Sequence, residues 1–307
     1  MTADRAALGV ALPLARPPRS LWGDAWRQFR SHRLALAGSF VLAVLVLGTL
    51  VGPYIYRVPT NDIDFTRVLS GPSLEHPFGT DELGRDILAR ALQGGRVSIA
   101  VGIAAVSVGI TLGVLIGAIA GFFARADGPL MRLTDMFISL PDLPLLLLVI
   151  MLFRDSLRGL LGPVTGIFVL IVVLIGALNW MGVARLVRAA FLSLKQREFV
   201  VAARVVGASD GRLISHHILP NALGPVIVSA TIGVGGAIIT ESALSFLGLG
   251  FPPGEPTWGR LLFEAQSHLD TAPHFAIFPG LLISLTVLSI NYIGDGLRDA
   301  LDPRRTP

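Results

Sequence analysis

His216 and His217 are the first residues in this 307-residue chain whose type suggests chemistry. Neighbouring residues on a helix point about 100° apart, so the doublet chelates poorly. A zinc site needs three or four convergent ligands, and no HExxH pattern or carboxylate cluster accompanies the pair. Cysteine is absent, which removes disulfides, zinc-thiolate sites and thiol nucleophiles. Lys195 is the single lysine and lies between Leu194 and Gln196, so the Lys-Ser/Thr signature of a phosphate-binding loop is missing. No serine–lysine, metal or paired-aspartate constellation emerges. The sequence reads as a non-enzyme with no metal or cofactor of its own.

What must position these few polar residues is a greasy scaffold. The chain is 52% hydrophobic and 15% charged, against about 25% charged in a soluble domain. Residues 34–56, 97–124, 159–184 and 275–294 contain no Asp, Glu, Lys or Arg. Each can cross a hydrocarbon core, which takes about 20 helical residues. Two more spans are interrupted: 133–153 by Asp135 and Asp142, and 222–249 by Glu241. The expectation is an all-α polytopic membrane protein with six transmembrane helices. Pro141 and Pro144 should kink the third span. Gly102, Gly109, Gly113, Gly117 and Gly121 give small-xxx-small spacings that suit close helix packing. Asp135 is either solvated or paired with Arg132.

Intramembrane polar groups then acquire meaning. A carboxylate there is costly and faces a cavity or a partner. Glu241, with Ser242 and Ser245 after it, is a candidate for a solute path or a subunit interface. Asn179 is either a candidate of the same kind or, like Asn291, a hydrogen-bonding contact between helices.

Basic residues set the topology. Arg5, Arg16, Arg19, Arg27, Arg30 and Arg33 crowd residues 1–33, too many for an ordinary signal peptide, so 34–56 reads as a retained anchor. With the N-terminus cytoplasmic, roughly two thirds of the chain's 25 basic residues fall on inside segments, as the positive-inside rule requires. Both termini and the stretch 197–225 are then cytoplasmic, and Arg154 and Arg158 lie in an outside loop. Segment 57–96 is the longest outside loop. Within it Thr80 or Asp81 can cap a helix carrying Asp81 and Glu82 in its first turn. Leu83, Ile87 and Ala91 share a face and Gly94-Gly95 ends the run, which predicts an amphipathic helix along the outer membrane surface.

The stretch 197–225 reads as a helix–turn–helix between apolar segments. Residues 198–206 form a short helix with Phe199, Ala202, Ala203 and Val206 on one nearly flat side. Gly207 suits a left-handed helix end. Ser209 can cap a second helix through Asp210, Leu213 and Ile218, which Pro220 breaks. Periodicity alone leaves two readings: a connecting loop, or a lever that passes a push from a soluble partner into the bilayer.

VAARVVGASDGRLISHHILPNALGP resembles the EAA loop of binding-protein-dependent ABC import permeases: Glu-Ala-Ala, three residues, Gly, nine residues, Ile-x-Leu-Pro. Ala202, Ala203, Gly207, Leu219 and Pro220 match, whereas Val201 stands in place of Glu and His217 in place of Ile. HPFGTDELGRDILARALQGGRVS, DMFISLPDLPLLLL and ESALSFLGLGFPPGEPTWG are similar to the C-type subunit of the dipeptide/oligopeptide/nickel permeases. These stretches extend from His76 to Gly259.

The resemblance implies a type I ABC importer (MetI-like) permease fold and the bacterial inner membrane. It divides the chain into a tail 1–33, an anchor 34–56, an outer loop 57–96, a five-helix core 97–295 with a coupling loop 197–220, and a tail 296–307. It implies ATPase coupling for Ala202, Ala203, Gly207, Ala208, Asp210, Leu219 and Pro220. The implied partners are a homologous B-type permease, two ABC ATPases that carry ATP and Mg, an extracytoplasmic solute-binding protein and the lipid bilayer, and no nucleic acid. The implied cargo is a di- or oligopeptide, with nickel or glutathione as alternatives. A proton-coupled secondary transporter is the rival class, but it wants inverted repeats and titratable residues at mid-membrane.

Overall fold

The structure, a computed structural model, describes residues 21–301. Residues 1–20 and 302–307, including Arg5, Arg16 and Arg19 of the predicted N-terminal tail and the end of the C-terminal one, lie outside the described residues. Within the expected tail the chain forms helix α1 (Leu21–Ser31), whose Ala25 and Phe29 are buried. The next helix, α2 (Arg33–Ile55), is capped by His32, whose Nδ1 accepts from the Ala35 N–H at 3.1 Å. Among the described residues five helices are long and apolar enough to cross a membrane, or six if a bent pair counts as one span.

The centre of the bundle is the pair α3 (Ile87–Phe122) and α6 (Pro163–Leu194). They pack along the predicted glycine stripe. A methyl group at Gly113 would lie 2.5 Å from Val183 Cβ, at Gly117 2.5 Å from the Ala184 carbonyl oxygen, and at Gly121 2.5 Å from Phe191 Cβ. Gly176 answers from α6 with the same closeness to Val108, 2.6 Å. At these glycines only a hydrogen atom fits against the facing helix.

The predicted surface helix ending at Gly94-Gly95 does not form. Asp86, not Thr80 or Asp81, caps α3, accepting from the Ala89 N–H at 2.7 Å. The helix then runs straight through the glycine pair for 36 residues, about 54 Å at 1.5 Å per residue. A methyl at Gly94 would meet Thr257 backbone at 3.1 Å, and one at Gly95 would meet Trp258 Cζ2 at 2.7 Å. The pair makes room for a distant segment instead of ending a helix, which spacing alone cannot distinguish.

The third span is broken, not kinked. α4 (Ala124–Ile138) and α5 (Asp142–Leu161) meet at 85°. Pro141 is the N-cap of α5 and Pro144 lies in its first turn, where the missing N–H is harmless. α4 is tied to α6 by polar pairs: Asp135 bonds Arg185 at 2.5 Å, not Arg132, and Arg188 Nη2 reaches Asp127 at 2.7 Å. α5 continues to Leu161, so Arg154 and Arg158 lie within a helix and not in the expected loop.

α7 (Glu198–Val205) and α8 (Asp210–Arg212) follow α6. A π-helical segment, Leu213–Ile218, leads directly into α9 (Leu219–Phe246). Pro220 therefore does not break the helix. It lacks an N–H and would clash with a carbonyl four residues back. The wider π turn, with the Leu219 N–H bonded to Ile214 O, accommodates it in a path continuous from Asp210 to Phe246. α10 (Trp258–Ala265) folds back on α3 and α9, and α11 (His274–Leu301) packs on α2 and α9.

One core joins α3, α5, α6 and α9 through Val101, Ile150, Ile171 and Leu244. Replacing Gly117 by Val should destabilise the protein by about 2 kcal/mol through overpacking against α6. A thermal melt in detergent checks this: Tm falls clearly for Gly117→Val, and holds for Gly128→Ala, whose site is open.

Candidate functional site

Two polar-rich regions stand at opposite ends of α3. At its C-terminal end α7 rests on an apolar seat of Phe122, Val187, Phe191, Leu213 and Ile218. Val200 is the buried residue of α7, with Ala203 and Ala208 half-buried beside it. The helix ends in a Schellman arrangement. Gly207 has φ +93°, its N–H donates to Arg204 O, and the Ala208 N–H donates to Ala203 O, both at 3.0 Å. Ser209 is the N-cap of α8 by position, yet its side chain makes no capping bond.

The outward face of α7 keeps Phe199, Ala202 and Val206 of the four residues expected on it, but projecting valines make it a ridge and not a flat surface. Val205 and Val206 are 82% and 88% exposed, Val201 and Ala202 are exposed with them, and Ala203 turns inward. Val201, standing in place of the resembled Glu, is thus part of an apolar ridge. Asp210 and Pro220 are exposed and Leu219 is half-buried. His216 Nδ1 lies 2.7 Å from Ser215 Oγ, and the His217 carbonyl accepts from Asn221, so both act locally. Lys195 was not foreseen: its ammonium donates to Phe122 O at 2.6 Å, closing the end of α3.

At the other end an ionic network holds α10 against α3. Arg90, fully buried, reaches Asp81 at 2.5 Å and Glu264 at 2.6 Å. Arg85 joins Asp81 at 2.7 Å and Glu264 at 3.3 Å, and Arg260 joins Glu264 at 3.0 Å. Burial alone would raise the Glu264 carboxyl, but the hydrogen bonds and charges of Arg90, Arg260 and Arg85 outweigh it and hold it below the usual range. Asp81, expected as a helix cap, instead accepts from the Leu83 and Arg85 N–H groups, 2.9 Å each. Nearby, Asp86 accepts from Tyr56 Oη at 2.7 Å and meets His76 Nδ1 at 2.8 Å.

The candidates for a path or interface divide. Glu241 is fully buried within the chain, accepting from Ser98 Oγ at 2.9 Å and Ser245 Oγ at 2.7 Å. Ser98 Oγ also receives the Trp258 N–H at 3.3 Å, so the carboxylate fastens α3, α9 and α10 together. Ser245 is buried, and Ser242 lies under Gly259, where a methyl would stand 2.5 Å from Ser242 Cα. In this structure the three are buried within the chain and do not line the cavity that Asn179 borders. Asn179 lines this cavity of about 320 Å³ with Gly109, Gly182, Ser229 and Gly233, while its amide donates to Ile175 O.

The arrangement defines a polytopic membrane subunit with an apolar ridge on one end and an ionically locked helix on the other. Residues 109–307 match the binding-protein-dependent transport system inner membrane component family, and residues 20–72 match the N-terminal transmembrane domain of oligopeptide transport permease C. The chain is 40% identical over 289 residues to the oligopeptide transport system permease protein OppC of Haemophilus influenzae, covering 93% of this chain and 89% of that one. It is 38% identical to the dipeptide permease DppC of Alkalihalophilus pseudofirmus over 93% of this chain and 90% of that one. For the glutathione permease GsiD of Pectobacterium atrosepticum the figures are 39%, 98% and 97%. This chain belongs to the binding-protein-dependent transport system inner membrane component family and is a multi-pass membrane permease. A chain of the MetNI methionine ABC transporter in inward-facing conformations matches it with TM-score 0.54 at 17% identity, over 69% of this chain and 95% of that one, in keeping with the type I importer fold.

The ionic network makes a pH prediction. A carboxyl held low when folded contributes stability fully above its unfolded pKa, about 4.3 for Glu, and loses it as pH falls through the folded value. Glu264→Gln should cost about 3 kcal/mol at neutral pH by leaving buried guanidinium groups short of a partner. Melts across pH test it: the Tm gap between wild type and Glu264→Gln is widest near neutrality and narrows below about pH 4.3.

Proposed function

We propose that this chain is the membrane subunit of an ATP-driven importer, paired with a homologous permease to enclose a path for a di- or oligopeptide or a related small solute. Two ABC ATPases, holding ATP and Mg, bind at its α7 end, and an extracytoplasmic solute-binding protein delivers cargo at its α10 end. The setting is the bacterial inner membrane with both termini cytoplasmic. The anchor 34–56 and the coupling loop 197–220 serve the roles expected of them, while the outer segment ends where α3 begins at Ile87 and the core runs from there to α11. The cargo class follows the relatives, which are named for oligopeptide, dipeptide and glutathione transport. Membership of a binding-protein-dependent family speaks against the proton-coupled rival.

The observation that carries the coupling role is the ridge of Val201, Val205 and Val206 on a helix whose other face is locked into the bundle. Exposed valines beside buried ones suit an apolar groove on a partner. Ala202, Ala203, Gly207 and Ala208 shape and seat the ridge. Asp210, Leu219 and Pro220 join it through the π turn to α9. An ATPase that moves the ridge therefore moves a membrane helix. The movement selects between access states only because the partner contacts them differently.

Two substitutions test this in proteoliposomes holding the whole complex. Val205→Asp changes an exposed side chain, so stability should shift by less than about 0.5 kcal/mol. It should nevertheless lower ATPase co-purification and uptake about tenfold, a loss of about 1.4 kcal/mol in docking. Gly207→Pro cannot adopt φ +93° and removes the N–H bonded to Arg204 O. It should leave the chain inserted while separating ATP turnover from uptake. Normal coupling in both assembled variants refutes the assignment.

A further inference from the structure

Arg154 and Arg158 interrupt α5, whose first twelve residues, DLPLLLLVIMLF, carry one charge, at Asp142. Spaced by four, they project from the same helix face, where like charges repel. They lie within about 11 Å of the last residue of α5, at the end of the bundle that carries α10. Charged groups in spans are costly and mark ion or substrate pathways. Arg154 and Arg158 are half-exposed, and within them Arg154 Nε, Arg158 Nε and Arg158 Nη2 are covered and donate to nothing in the protein. Such orphaned donors require an explanation, because buried polar groups are almost always paired.

The surroundings deepen the need for an anion. Arg154 lies within electrostatic reach of Arg158, Arg260 and Asp155. Asp155, one residue from Arg154 and three before Arg158, offsets one of the three positive charges. Arg260 shares its carboxylate partner, Glu264, with Arg85 and Arg90. Two carboxylates, Asp81 and Glu264, thus serve three guanidinium groups, and Arg90 keeps Nε and Nη2 unpaired although fully buried. A locally positive mouth with low-dielectric walls concentrates anions, and planar guanidinium groups suit the paired oxygens of a carboxylate.

We propose that Arg154 and Arg158, backed by Arg260, form an anion site at the extracytoplasmic mouth of the path that receives a carboxylate of the incoming solute. The inference rests on the importer reading for its ligand and on orphaned donors for its place. A lipid phosphate offers similar chemistry. Arg154 and Arg158 continue the i, i+4 row of the buried Leu146 and Ile150, and Arg260 lies within electrostatic reach, which favours a ligand arriving on the protein side over a headgroup on the lipid side.

Two measurements on the assembled complex in nanodiscs and proteoliposomes decide it. In the first, phenylglyoxal modification of Arg154 and Arg158 is followed by mass spectrometry with millimolar Ala-Ala or Ala-Ala amide. The site predicts modification slowed about threefold at twice Kd by the free acid, and unchanged by the amide. Equal rates with and without Ala-Ala, or equal protection by the amide, overturn it and leave lipid or packing as the arginines' role. In the second, uptake is compared for wild type, R154Q/R158Q and R154K/R158K after size-exclusion shows assembly. Uptake should fall about tenfold in the glutamine variant, which is about 1.4 kcal/mol, and largely return in the lysine variant. Glutamine uptake equal to wild type, or equal loss in both variants, overturns the site. Absence of ATP-dependent uptake in wild type sinks the importer reading instead, and the labelling then decides the anion site alone.

Discussion

Close contact between α3 and α6 is the constraint on which the rest of the structure depends. Lipid tails are as apolar as leucine, so burial supplies no net drive between helices in a membrane, and packing must. Gly109, Gly113, Gly117 and Gly121 let α3 approach α6 until backbone meets side chain stem. Everything with a proposed role hangs from that pair. Phe122, at one end of α3, supports the seat of α7, and Arg90, near the other, anchors α10. A shift of α3 relative to α6 would disturb both ends together.

The two ends are held by different physics. The α7 seat is apolar, with Phe122, Phe191, Leu213 and Ile218 packing without directional bonds. Such contacts survive small sliding. The α10 end is held by short ionic hydrogen bonds from Arg90 and Arg85 to Asp81 and Glu264, which lose most of their strength when geometry slips. A bundle built this way yields more readily at the α7 end and stays fixed at the α10 end. The π segment between α8 and α9 keeps the yielding end connected, since the helical path is continuous from Asp210 to Phe246.

Much of this was legible in the sequence where the cause is local. The presence of the apolar spans, the glycine stripe, the extent of α7 and the left-handed turn at Gly207 follow from composition and spacing, and the structure has them, although α3, α6 and α11 run well beyond their charge-free stretches. Features made by distant partners were not legible. Gly94-Gly95 looks like a helix end until Thr257 and Trp258 are known to lie against it. Asp81 looks like a cap until Arg90 claims it, an arginine that also reaches Glu264, 174 residues further along the chain. Pro220 looks like a breaker because a π turn leaves no signature in periodicity. α10 is eight residues long, too short for a hydropathy window.

Glu241 shows why a lone intramembrane carboxylate is a poor guide to a path. Its cost in lipid can be met in two ways, by a cavity or by enclosure among donors. Ser98 and Ser245 supply the second, and Trp258 completes the network through Ser98. The group then works as a fastener for three helices, with no side left open. Arg154 and Arg158 are the contrasting case: same kind of cost, donors left unanswered by the chain. The distinction lies in hydrogen-bond completeness, which no sequence pattern records. In a helical membrane protein an unsatisfied charge therefore points to where something else must bind, and a satisfied one points to what holds the bundle closed.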